Sequence, residues 1–287
     1  MISKRMAFFW VGRMSWLRWL TLSSFVRFNP DWEVVLYTAD SEFVGSKHWK
    51  SDNDDDSSYE GPDYWEHIPK QVIVKKFVPP SVMSAAQMCD LFQWWYLGTE
   101  GGFYADMDIL WLRPFDETYR TCLNSNAVFC LEGTLLAIGL VGSTPDCPLF
   151  RAIYSGAEIE SNADYQHYGT NLVYRVFEIG YGKPHPGKKF LNLARRIYPN
   201  LQIEEIPQNT VYPFIWDEAD KIFERKLPVP NSSVGIHWFG GGPIPNKWNR
   251  LLTEDSWTSY DNTFTARLNR ICKVEGNFNL SPTAVAS

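Results

Sequence analysis

Long apolar runs are missing from this chain of 287 residues: none approaches the ~18 residues a bilayer span requires, so no transmembrane helix is predicted. Lys4 and Arg5 before Met6–Gly12 imitate the start of a secretory leader. Arg13 and Arg18 then interrupt the apolar segment and no small-residue cleavage site follows, which predicts neither signal peptide nor anchor, and a cytoplasmic protein. Cysteine is scarce. Cys89, Cys122, Cys130, Cys147 and Cys272 are odd in number and have no CxxC or zinc spacing, so reduced thiols are expected rather than a disulfide frame. A basic surplus is lacking too: 27 Lys+Arg face 33 Asp+Glu, a net charge of −6 with no basic stripe, which argues against duplex nucleic acid as a partner. Internal repeats and linkers are absent, so one domain over residues 1–274 is expected, followed by a flexible tail over 275–287.

What the chain does have is aromatic rings. Its 13 Trp, 14 Tyr and 18 Phe are a surplus that suits stacking on sugars or bases, although most must fill the core. Its acids are also concentrated. Ser51–Glu66 holds seven carboxylates and no Lys or Arg, while the remainder is nearly neutral; such a run repels itself and predicts a solvated surface loop over about residues 41–68.

Hydrophobic patterning predicts strands at Ala7–Val11, Glu33–Tyr37, Gln71–Phe77, Ala127–Leu131, Leu201–Ile206 and Ser233–Trp238. Helices are predicted from Ser15 to Phe28, from a cap at Ser81 or Ser84 to Leu97, and over Cys147–Ile159, Thr170–Ile179, Lys188–Tyr198 and Trp257–Val274. Phe103–Leu112 reads as a short apolar stretch interrupted by two acids and closed by Pro114. Strand and helix alternate through the first half, which predicts an α/β fold with a mostly parallel central sheet flanked by helices.

The chemistry is concentrated in Gly101-Gly102-Phe103-Tyr104-Ala105-Asp106-Met107-Asp108. Carboxylates at i and i+2 on extended backbone project to one side. Close carboxylates need a cation or a shared proton, and a hard divalent ion with oxygen ligands, Mn²⁺ or Mg²⁺, meets that need. A haloacid-dehalogenase-type phosphatase also uses a DxD, but close to its N-terminus and followed by a small hydroxyl residue; here it lies past residue 100 and Ile109-Leu110 follow.

The run SAAQMCDLFQWWYLGTEGGFYADMD, with Asp90, Gly101, Gly102, Tyr104, Asp106 and Asp108, resembles the DxD-containing sugar-binding region of nucleotide-sugar glycosyltransferases. That group includes yeast α-1,6-mannosyltransferases, capsular polysaccharide transferases and clostridial glucosylating toxins. Phe8-Phe9-Trp10-Val11-Gly12 resembles its first strand, Asn29-Pro30-Asp31-Trp32 with Leu36-Tyr37-Thr38 its Asn-Pro segment and second strand, and Gly235-Ile236-His237-Trp238-Phe239-Gly240 its late His motif.

The resemblance implies a GT-A-like, Rossmann-like single domain. It also implies a retaining, metal-dependent transferase that moves a sugar from a nucleoside-diphosphate donor, UDP-sugar first and GDP-sugar next, to an acceptor hydroxyl of a glycan, glycolipid or protein. On it, Asp90, Asp106 and Asp108 are the catalytic candidates and Asp106, Asp108 and His237 the metal ligands. Trp10, Gly12, Gln93, Gly102, Asp106, Lys247 and Trp248 are the donor-binding candidates. Lys247 and Trp248, after Gly240-Gly241-Gly242-Pro243, are read as a closing lid. Gln93 departs from the pattern, which has Arg there, so another cation is required; Lys247, Arg13 and Arg113 are candidates. Retention through a covalent intermediate would need a second carboxylate, for which Glu132 and Asp164 qualify, whereas front-face substitution needs none. Without a visible anchor the chain is closer to bacterial, phage or viral transferases than to Golgi ones. Transfer to a modified nucleic-acid base and a non-catalytic carbohydrate-binding module are the competing readings.

Overall fold

The computed structural model describes residues 1–46, 59–158, 166–180 and 184–274. Most of the acidic run, Asp164 and the tail over 275–287 lie outside them. The strands are β1 (Arg5–Phe9), β2 (Glu33–Thr38), β3 (Val44–Ser46), β4 (Val72–Lys76), β5 (Met83–Ser84), β6 (Gly102–Ala105), β7 (Ile109–Trp111), β8 (Ala127–Glu132), β9 (Leu135–Ser143), β10 (Ile203–Ile206) and β11 (Gly235–His237). The helices are α1 (Trp16–Phe28), α2 (Ala85–Thr99), α3 (Asp116–Cys122), α4 (Pro148–Ser155), α5 (Thr170–Val176), α6 (Pro186–Ile197), α7 (Ala219–Phe223), α8 (Pro243–Leu251) and α9 (Thr263–Val274).

A seven-stranded sheet in the order β10-β8-β9-β6-β1-β2-β4 forms the centre. β1 pairs in parallel with both β2 and β6, β2 with β4, and β10 with β8; β9 alone runs against its neighbours β6 and β8. This is the mostly parallel, helix-flanked sheet expected. Alternation along each strand divides the core into two layers. Met6, Phe8, Val34, Leu36 and Phe103 face α1, α7, α8 and α9. Ala7, Phe9, Val35, Tyr37 and Tyr104 face α2, α4, α5 and α6.

Local chemistry sets the helices that carry the site. Ser15 caps α1 by accepting from Arg18 N at 3.3 Å, and Asn29 ends it by donating its side-chain amide to Phe25 O at 2.9 Å. Ser84, not Ser81, caps α2 through a reciprocal capping box with Gln87. The predicted helix over Cys147–Ile159 stops at Gly156. The one over Trp257–Val274 is divided: Trp257–Ser259 is a short 3₁₀ turn, and Asn262 accepts from Thr265 N to start α9 anew. Gly240–Pro243 is not a hinge into a loop; Pro243 opens α8 at its first turn, where a missing N–H costs nothing. All five cysteines are free thiols, four of them buried. Among the described residues no helix is long and apolar enough to cross a membrane.

Candidate active site

β1 and β6 are neighbours, yet the chain leaves β1 toward β2 on one side and returns to β6 on the other. In open α/β sheets the crevice at the carboxyl ends of such strands is the ligand site. Trp10 follows β1 there, and Asp106 follows β6. The DxD segment is not extended throughout, as sequence predicts, but turns at Met107 and Asp108. That turn takes the chain out of the main sheet into β7, which pairs antiparallel with β11, His237 opposite Ile109 and Gly235 opposite Trp111. Thr21 of α1 donates to Met107 O at 3.0 Å, and Trp238 N donates to Asp108 O at 2.8 Å, so both partners of the turn are fastened through main-chain atoms.

The pairing brings His237 Nε2 within 3.3 Å of Asp106 Oδ2 and 3.2 Å of Asp108 Oδ1. Gly240 N donates to Asp108 Oδ2 at 2.6 Å, and the Arg18 guanidinium stands 3.7 Å from the same oxygen. Arg18 is sandwiched between the Trp10 and Trp238 rings, 4.6 Å from each centroid. A Cβ on Gly240 would collide with it. Burial would lower the His237 pKa, but Asp108 and Asp106 raise it above its ordinary value. Burial would likewise raise Asp106, but His237, Tyr104 and Arg18 together hold it below the usual carboxylate range. Tyr104 donates to Asp106 Oδ1 at 2.6 Å, and Cys89 Sγ lies 3.0 Å behind the phenol.

Two observations test whether this cluster fits a metal. Asp108 Oδ1 is buried and has no hydrogen bond of good geometry, only the ionic contact to His237. Opposite it, on β9, Gly139 leaves an open point: an added Cβ would sit 2.7 Å from each of Asp106 Oδ2, His237 Nε2 and Tyr212 OH. Asp106, Asp108 and His237 can each offer one ligand atom, all within 4.8 Å of one another. Two carboxylates and an imidazole around such a gap fit a divalent ion. Phe239 N donates to His237 Nδ1 at 3.3 Å, which turns Nε2 toward the two carboxylates.

The cluster lies in the wall of a cavity of about 660 Å³, which Trp10, Arg18, Asp90, Glu132, Tyr212 and Trp216 also line. Asp90 reaches it from α2, and burial, then the charge of Asp106, push its carboxyl well above the ordinary range. Burial also raises Glu132, whose Oε1 accepts from Trp216 N at 2.5 Å. The Tyr212 hydroxyl is buried and unpartnered, and burial raises its pKa well above normal.

Of the residues singled out from sequence, Trp10, Asp90, Asp106, Asp108, Glu132 and His237 meet around this cavity. Asp164 lies outside the described residues, and the others are placed elsewhere. Gln93 is buried and donates its amide to Ile138 O at 2.6 Å, holding β9 rather than facing the cavity. Gly102 opens β6 at the end remote from Asp106, where φ +103 and the close approach of Tyr96 and Arg5 exclude a Cβ. Gly12 (φ +92) accepts from Trp65 Nε1 through its carbonyl at 2.6 Å. Lys247 pairs with Glu224 at the surface, and Trp248 stacks on Phe223 inside the core. Arg13 donates to Gly61 O, and Arg113 lies on another cavity. The cation of the site is Arg18, which sequence reasoning missed along with Gly139, Tyr212 and Trp216. For Arg18 there was a signal: a guanidinium in a helix that is apolar on all sides needs a buried partner.

Residues 19–124 match the family described as glycosyltransferase sugar-binding region containing DXD motif, a span that holds Asp90, Asp106 and Asp108 but not His237. No curated protein sequence matches the chain. Similar solved structures include the PaToxG glycosyltransferase (15% identity over 69% of this chain and 77% of that one, TM-score 0.41). The glycosyltransferase GlyE of Streptococcus pneumoniae TIGR4 is 10% identical over 96% of this chain, which spans only 64% of GlyE, with TM-score 0.43. The galactosyltransferase LgtC, solved with donor and acceptor sugar analogs, is 11% identical over 94% and 95% of the two chains, with TM-score 0.40. Residues 19–124 thus carry a sequence region similar to the DXD-type glycosyltransferase sugar-binding region.

Proposed function

We propose that residues 1–274 form one catalytic unit that transfers a sugar, in a metal-dependent and configuration-retaining reaction, from a nucleoside diphosphate, UDP before GDP, to a hydroxyl of a glycan or glycoconjugate. The observation that carries this reading is the convergence of Asp106, Asp108 and His237 on the gap beside Gly139, in the wall of a cavity large enough for a nucleotide-sugar. When bound there, Mn²⁺ or Mg²⁺ offsets the negative charge that builds on the leaving diphosphate.

The chain's own residues supply the rest. Arg18, rigid between two indoles, offers a second positive charge to the diphosphate without reorganising. Asp90, whose carboxyl holds its proton more tightly than an ordinary carboxylate, faces the cavity where hydroxyls of the donor sugar would hydrogen-bond to it. Tyr212 brings an unspent O–H to the oxygens beside the metal ligands. In front-face substitution the glycosidic C–O bond breaks toward the diphosphate while the acceptor oxygen bonds the same carbon from the same side. The acceptor's proton passes to a diphosphate oxygen, and no enzyme carboxylate is consumed. Trp216, 45% exposed and edge-on to Phe239, gives the cavity mouth a flat apolar face on which an acceptor sugar ring can lie.

The test is donor hydrolysis by purified protein across a nucleotide-sugar panel with Mn²⁺, Mg²⁺ or EDTA. Metal-dependent release of nucleoside diphosphate from one donor, lost in Asp108→Ala, is the expected result. No cleavage of any donor, together with no calorimetric binding of UDP or GDP, would overturn it.

A further inference from the structure

The ribbon of β7 and β11 has a second end. Past Trp111 and before Gly235 the ladder continues for one bond, Leu112 N to Val234 O at 2.8 Å, and the two strands then open onto another cavity of about 290 Å³. Arg113 enters it from β7, Arg267 and Arg270 from α9, and Ser233 from the segment before β11. Phe28, Leu112 and Ile271 supply apolar wall.

Two features of this cavity are unexplained by folding. None of the three arginines pairs with a carboxylate among the described residues. The charges acting on Arg267 are those of Arg270 and Arg113, of its own sign, and they add to burial in lowering its pKa. Arg267 spends one donor on Val229 O at 3.0 Å. Secondly, the Ser233 side chain is fully buried, yet its Oγ has no hydrogen-bond partner. A buried hydroxyl left unmade costs free energy, and so does a set of like charges around one hollow. One occupant relieves both: an anion.

We propose that Arg113, Arg267, Arg270 and Ser233 form a second ligand site, separate from the donor cavity, that binds the phosphate group of a small phosphorylated molecule whose carbon skeleton lies on Phe28, Leu112 and Ile271. A phosphate monoester carries close to two negative charges at neutral pH and three acceptor oxygens, matching three guanidinium forks and a hydroxyl better than a single carboxylate does. The hollow is less than half the size of the donor cavity, which restricts it to a molecule smaller than a nucleotide-sugar. The site stands on residues that the proposed transfer does not use, so it can be present whether or not that reaction is the right one.

Calorimetric titration of the full chain with phenyl phosphate, in EDTA, tests this. One-to-one binding is expected, tighter than for inorganic phosphate and absent for phenol. The affinity should fall at least about tenfold in the Arg113→Ala, Arg270→Ala double variant, fall measurably in Ser233→Ala, and stay unchanged in Asp108→Ala. Arg270 is exposed, so Arg270→Glu reverses its charge without touching the core and should give the same loss if the double variant proves unstable. No heat at about 10 mM probe, or equal binding by wild type and the arginine variants, overturns the proposal. Loss of binding in Asp108→Ala also overturns it, because the ligand would then be in the donor cavity.

Discussion

At one end of the β7–β11 ribbon three carboxylates crowd together; at the other, three guanidinium groups do. The acidic end is relieved from within. His237 lies between Asp106 and Asp108, Arg18 backs Asp108, and burial raises the Asp90 pKa above the ordinary carboxylate range. The basic end has no such internal relief among the described residues, only one carbonyl for Arg267. The acidic cluster therefore holds its geometry in the free protein, ready for a cation, whereas the basic one leaves its neutralisation to a ligand. A catalytic site and a binding site are expected to differ in this way: the first must cost no reorganisation during the reaction, and the second gains most on binding.

Removing charge from the acidic end breaks the comparison most severely. Asp108→Ala deletes one of the proposed metal ligands and is expected to lower metal-dependent donor hydrolysis about 1,000-fold or more, measured as release of nucleoside diphosphate. Gly139→Ala retains every charged group and fills the gap they surround. Its backbone is ordinary strand, but the added Cβ meets three buried polar atoms at 2.7 Å that must shift, so a lowered melting temperature with about 100-fold lower activity is expected. Wild-type activity in this variant would show that the gap is not used. Arg18→Gln keeps hydrogen-bonding capacity but not charge, and should cost roughly 10- to 100-fold in kcat with less change in KM. Arg18→Lys should rescue little of this, since a point charge cannot stack on two indoles at once.

Asp90→Asn sharpens the contrast through pH. Unfolded, the carboxyl ionises near ~3.9; folded, its pKa is raised well above that. The stability Asp90 contributes is thus complete below the unfolded value and is lost as pH rises through the folded one. Asp90→Asn should melt at higher temperature than wild type from neutral pH upward in EDTA, with the difference vanishing toward pH 4. Its hydrolysis should fall roughly tenfold. Parallel melting profiles would refute the buried-acid reading. The smallest effect is expected for Lys247→Ala: an exposed ion pair with Glu224, away from the cavity, should change activity and stability by no more than about 1 kcal/mol equivalent.

How much of this was legible beforehand differs between backbone and site. Strands β1, β2 and β4 and helices α1 and α2 were visible because their apolar spacing and caps are local. β9 was passed over: LLAIGLVGS is a continuous apolar run with two glycines, and a fully buried strand shows no alternation to betray it. Missing β9 also hid Gly139 and the use of Gln93, whose amide holds that strand. Phe103–Leu112 read as one stretch because nothing in its composition marks the turn at which the chain changes sheets. Asp106 and Asp108 were found through the DxD spacing and His237 through the family resemblance, whereas Tyr212 and Trp216 enter through tertiary packing that no local pattern encodes. Lys247 and Trp248 were misplaced because three glycines resemble a hinge, while the proline behind them starts a helix.

Asp106 and His237 meet although they lie 131 positions apart in sequence, and main-chain bonds between β7 and β11 hold Asp108 beside them. A chain emerging from the ribosome therefore possesses its DXD sequence long before it can have a metal site. Until residues 235–240 arrive, β7 has no partner and Asp108 no neighbour to order it. The late segment closes the circuit, so a chain that stops before residue 235 lacks the strand that pairs with β7 and the Gly240 N–H that fixes Asp108.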